Sequence, residues 1–105
     1  MIIRYNKLVR DRIPEIIESS GKSYTAEILS HEEYLRMLDA KLDEELAEYH
    51  KDQSIEELAD LLEVIRAAVV ARGYTIEDLK RVRAEKAAKR GGFEKRILLK
   101  EVVEE

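Results

Sequence analysis

The sequence predicts an all-α fold, a helical bundle with a small two-stranded β element attached. Three observations carry this expectation. Apolar residues recur at three- and four-residue steps from Leu35 to Ala71, the period of an amphipathic helix. A Ser or Thr followed three residues later by Glu or Asp opens three successive segments, at Ser30, Ser54 and Thr75. Glycines then stand where helices would stop, at Gly21, Gly73 and Gly91-Gly92.

Taken in order, residues 2–20 place Ile13, Ile16 and Ile17 around Pro14, a residue suited to the first helical turn, so a short helix is expected to end before Gly21. Residues 23–29, KSYTAEIL with its lysine at the edge, have β-branched and aromatic residues in partial alternation and predict a strand. Its expected partner is FEKRILL, residues 93–99, after the double glycine. Ser30-His31-Glu32-Glu33 opens a helix with the stripe Leu35, Leu38, Leu42, Leu46 and Tyr49, expected to end near His50. Ser54 caps a second long helix running to about Arg72, and Thr75 caps a last one running to the glycines.

The 105 residues, 45% hydrophobic and 40% charged, fit one domain over residues 1–105. From Leu58 to Ala71 only Asp60, Glu63 and Arg66 interrupt an apolar run, and a helix apolar nearly all round needs cover on more than one side. In a chain this small the simplest second cover is another copy, so a homodimer or higher homo-oligomer is expected. With no cysteine, disulfides and thiolate metal sites are excluded. The N-terminal stretch MIIRYNKLVRDRIPEII is too interrupted by charge for a signal peptide or a membrane span, which makes a cytoplasmic protein the expectation. A net charge of −4 offers no overall attraction to nucleic acid or to an anionic membrane. Basic residues crowd both ends, while acids concentrate from residue 32 to 63.

Those acids include Glu45-x-x-Glu48 and Glu57-x-x-Asp60, each pair on one helix face and about 100° from the apolar stripe. A short connection makes the two helices antiparallel neighbours. If the hairpin turns at residues 52 and 53, Glu48 lies level with Glu57 and Glu45 level with Asp60, roughly 4.5 Å further along. Four carboxylates converging beside a core repel one another unless protonated or matched by positive charge. Oxygen-only ligation suits magnesium, or manganese, and magnesium so held commonly takes substrate phosphates as further ligands. The same residues also fit a plainer account, in which Glu45 and Glu48 are a solvated charge pair and Glu57 is the capping partner of Ser54. His31 and His50 read as surface residues without partners at ligand spacing.

On KLDEELAEY, with Lys41, Glu44, Glu45 and Glu48, followed by EELADLLEVI, with Glu57 and Asp60, the chain resembles the MazG-like all-α nucleoside triphosphate pyrophosphohydrolases, a superfamily that includes the phosphoribosyl-ATP pyrophosphohydrolases. A house-cleaning subgroup is more similar still, through YNKLVRDRIPEII at residues 5–17 and KRGGF at 89–93. Only eight residues separate Glu48 from Glu57, a shorter linker than is common in the superfamily. The resemblance implies magnesium-dependent cleavage of a nucleoside triphosphate between the α and β phosphates, giving monophosphate and pyrophosphate. It implies Glu45, Glu48, Glu57 and Asp60 as metal ligands, with Glu45 or Glu48 accepting the proton of the attacking water. Lys41, one turn before Glu45, would neutralise phosphate charge, or else form an ordinary ion pair with Glu45. Lys7, Arg10 and Arg12 are implied as substrate-binding, against a reading as a solvated charge run. Lys86, Lys89 and Arg90 fit the same role or simple complementarity to a helix C-terminus. Phe93 fits a lid that stacks on the base, or a strand anchor. Phosphoribosyl-ATP hydrolysis and a noncatalytic helical interaction module are the alternatives.

Overall fold

The computed structural model describes residues 1–104. It is all-α, with four helices: α1 Ile13–Ser19, α2 His31–Asp52, α3 Ile55–Ala71 and α4 Ile76–Arg90. The chain divides into two compact units, Met1–Tyr74 and Thr75–Glu105.

In the first unit α2 and α3 pack on each other as a hairpin. The Ser30 hydroxyl accepts from Glu33 N at 3.3 Å and starts α2. The helix continues two residues past the expected end at His50, since nothing in Lys51-Asp52 breaks it. It stops at Gln53, which takes a left-handed φ of 52° and donates its N–H to the Tyr49 carbonyl at 2.7 Å. Ser54 immediately caps α3 through Glu57 N at 3.3 Å, which makes the turn as tight as the sequence implied. At the far end Gly73, at φ +91°, and Tyr74 donate to the Val70 and Val69 carbonyls, a Schellman closure that needs the glycine.

The inward stripe of α2 differs from the one expected. Leu38, Leu42, Glu45 and Tyr49 follow one another at four-, three- and four-residue steps, and Leu38 is the only buried hydrophobic among the described residues. Leu46, expected in that stripe, is 42% exposed, because it stands about 80° round from Leu38. Glu45 takes the inner position, with its side chain only 12% exposed. On α3, Glu57, Leu61, Val64 and Ala68 make the matching half-buried stripe, while Ile55, Leu58 and Leu62 form a second apolar stripe left exposed.

The expected two-stranded β element is not found: among the described residues, 23–29 and 93–99 have no regular secondary structure. Alternation supplies two faces but no backbone partner, and neither segment has a pairing strand within its own unit. Their apolar residues are exposed instead, including Tyr24, Ile28, Ile97, Leu98 and Leu99.

In the second unit α4 opens on a complete capping box. Thr75 Oγ1 accepts from Asp78 N at 3.0 Å, and Asp78 Oδ2 accepts from Thr75 N at 2.9 Å.

Candidate metal centre

The hairpin brings carboxylates from both helices together at its closed end. Glu45, Glu57 and Asp60, all half-buried, offer oxygens within 4.8 Å of one another, and Glu48, Asp52 and Glu57 form a second such group. Glu57 belongs to both. The turn at Gln53 therefore places α2 acids against α3 acids in the register that the spacing implied, 45 with 60 and 48 with 57.

Asp52 is the member that the sequence reading missed. It stands seven residues after Glu45 and four after Glu48, on the same helix face, and became readable only once α2 extended past His50.

Glu57 occupies its place at a cost. Ser54 uses only the Glu57 backbone N–H, so the carboxylate is free to turn toward α2. Loss of solvent, followed by the negative charges of Asp60, Asp52, Glu48 and Glu45, holds its pKa above the ordinary glutamate value. A carboxylate whose charged form is disfavoured by loss of solvent and by its neighbours is one that a cation would satisfy, and an all-oxygen donor set of this size fits magnesium or manganese.

Cationic side chains border the group. Lys41 Nζ lies 3.4 Å from Glu45 Oε1 and 3.3 Å from both Glu44 oxygens, with its side chain only 16% exposed. From the irregular N-terminal segment, Lys7 Nζ donates to Glu44 Oε1 at 2.9 Å and Arg10 Nη2 to Asp60 Oδ1 at 2.7 Å. The hydrogen bond from Lys7 holds the Glu44 carboxyl below its usual range, and the same bond raises Lys7, with Glu45 and Glu48 adding to it.

Arg12, expected beside Lys7 and Arg10, is not brought to the carboxylates: its Nε pairs with Glu15 Oε1 at 2.8 Å in the first turn of α1. Lys86, Lys89 and Arg90 lie exposed along the second half of α4 in the second unit, and Phe93, after the glycines, is 97% exposed.

A 42-residue stretch of the chain is 60% identical to an uncharacterized protein of Mycolicibacterium smegmatis, covering 40% of this chain and 43% of that relative. The match thus spans less than half of the relative's length. No family model matches the chain, and no solved structure matches it.

Proposed function

We propose that the chain is a MazG-like nucleoside triphosphate pyrophosphohydrolase, dependent on magnesium or manganese, that releases pyrophosphate and a monophosphate from nucleoside triphosphates, modified or damaged ones among them. The observation that carries this reading is the convergence of Glu45, Glu57 and Asp60 within 4.8 Å across the hairpin, with Glu57 held above its ordinary pKa. Glu45, Glu57 and Asp60 would hold the ion, with Glu48 and Asp52 at its outer side. When bound, such an ion polarises phosphate oxygens and lowers the pKa of a water molecule.

The chain's own groups divide the remaining work. Glu45 is engaged by Lys41, whereas Glu48 is exposed and has no cation within ion-pair distance among the described residues, so Glu48 takes the proton from the attacking water. Lys41 and Lys7 supply positive charge toward the departing pyrophosphate. Lys86, Lys89, Arg90 and Phe93 are proposed to bind substrate on the resemblance alone.

The exposed stripe of Ile55, Leu58 and Leu62 on α3 supports a homodimer or higher assembly completing a helical bundle. Sedimentation at micromolar concentration should give at least twice the 12.2 kDa chain mass, and Leu62→Glu should return it to the monomer. A monomeric wild type would remove this part of the proposal.

Incubation with magnesium and a panel of triphosphates, with phosphoribosyl-ATP included, should yield pyrophosphate and the matching monophosphate. Glu45→Gln and Asp60→Asn should each lower the rate at least about 100-fold, since even outer-shell losses at metal sites cost 10- to 100-fold. No turnover of any substrate, with metal binding indifferent to both substitutions, would sink the proposal.

One observation favours a second reading. Lys7, Arg10 and Lys41 already give Glu44, Asp60 and Glu45 cationic partners, as a noncatalytic helical interaction module with surface ion pairs would. That reading requires magnesium to leave the melting temperature unchanged.

A further inference from the structure

We infer that Arg10 is the built-in counter-cation of the carboxylate group, occupying Asp60 in the absence of a divalent ion and giving way when one binds. The inference rests on the metal-centre reading above and adds a competitor to it.

The Arg10 guanidinium reaches Asp60 at 2.7 Å across 50 residues of sequence. Asp60 is also one of the three half-buried carboxylates whose oxygens lie within 4.8 Å of one another, so guanidinium and metal ion compete for the same side chain. Arg10 is delivered by the irregular segment ahead of α1, so its withdrawal need not disturb a helix. The two side chains keep 57% and 41% of their surface open to solvent, and ion pairs this open are held weakly enough to be exchanged. Lys41 differs on each count: it belongs to α2, and its side chain is only 16% exposed beside Glu44 and Glu45. Arg12 carries the same charge two residues away and is tied to Glu15, which makes it the natural control.

Manganese binding measured by titration calorimetry on the full chain separates the possibilities. Arg10→Gln should tighten binding roughly fivefold, the scale of a lost exposed ion pair, while circular dichroism reports an unchanged helix content. Arg10→Lys, which restores the charge, should bring affinity back toward wild type, and Arg12→Gln should leave it within about twofold. An Arg10→Gln affinity equal to or weaker than wild type, or an equal tightening by Arg12→Gln, overturns the inference while leaving the metal centre standing. Absence of manganese binding in wild type and in Arg10→Gln alike overturns both.

Discussion

Two helices open on the same pattern, Ser54-x-x-Glu57 on α3 and Thr75-x-x-Asp78 on α4, and their acids come to opposite ends. Asp78 returns its carboxylate to the Thr75 backbone at 2.9 Å, and that hydrogen bond, with the hydroxyl of Thr75 and the nearby Arg81, holds its pKa below the ordinary range. Glu57 leaves its cap half-made and turns into four other carboxylates, and loss of solvent together with their negative charge holds its pKa up. The cap motif is the same in both places, and what stands opposite the helix differs. A local preference declined where it was available marks a position shaped by something other than helix stability.

The largest expected effect tests that mark directly. At 100 times its dissociation constant, a ligand bound only by the folded chain adds about 2.7 kcal/mol of stability. For a domain of this length that raises the melting temperature by roughly 10 °C or more. Magnesium or manganese should therefore raise the wild-type melting temperature strongly. Glu57→Gln should melt higher than wild type in chelator, because it removes the most crowded negative charge, and should lose most of the metal response. Asp78→Asn should melt lower than wild type with or without metal. An equal metal response in Glu57→Gln and wild type would break the contrast between the two acids.

Helix content and connection were legible because they depend on local chemistry: the caps at Ser30, Ser54 and Thr75 and the stop at Gly73 all act within four residues. The register of the carboxylates was legible from the tightness of one turn. Glu45 was misjudged as lying beside the stripe because Leu46 is the more apolar residue, and the helix turned by packing of Leu38, Leu42 and Tyr49 instead. The β element failed for a different reason: propensity in residues 23–29 and 93–99 is local, whereas a ladder is a relation between segments. Arg10 and Arg12 could not be told apart in sequence, since only the first turn of α1 claims Arg12 for Glu15.

A smaller effect follows from the signs of the two shifts. Glu57 binds its proton more tightly folded than unfolded, so its contribution is fully present below its ordinary value of 4.5 and is lost as pH rises through its raised folded value. Asp78 is the reverse: its contribution is present above its ordinary value of 3.8 and is lost as pH falls through its lowered folded value. In chelator, acidification from neutrality should first relieve the hairpin and only later, below about pH 4, loosen the start of α4. Carboxyl-carbon NMR titration reads both sites at once, and a Glu57 midpoint at or below the ordinary glutamate value of 4.5 would remove the crowding on which the metal proposal depends.

The smallest effects lie in the caps themselves. Thr75→Ala removes the acceptor for Asp78 N and slackens the return bond, so it should cost about 1 kcal/mol in chemical denaturation. Ser54→Ala removes a longer bond, 3.3 Å, from a helix end that makes no return bond to its cap, and should cost about 0.5 kcal/mol. The decisive readout is what each change does to its acid. Thr75→Ala should let Asp78 titrate closer to an ordinary aspartate, because the hydroxyl bond that helps to lower it is gone and the backbone bond from residue 75, the larger cause, is slackened. Ser54→Ala should leave Glu57 raised and metal affinity within about twofold of wild type, since the Glu57 carboxylate takes no part in the Ser54 cap. A Glu57 that falls to the ordinary range in Ser54→Ala would mean that the cap, and not the opposing α2 carboxylates, sets its charge.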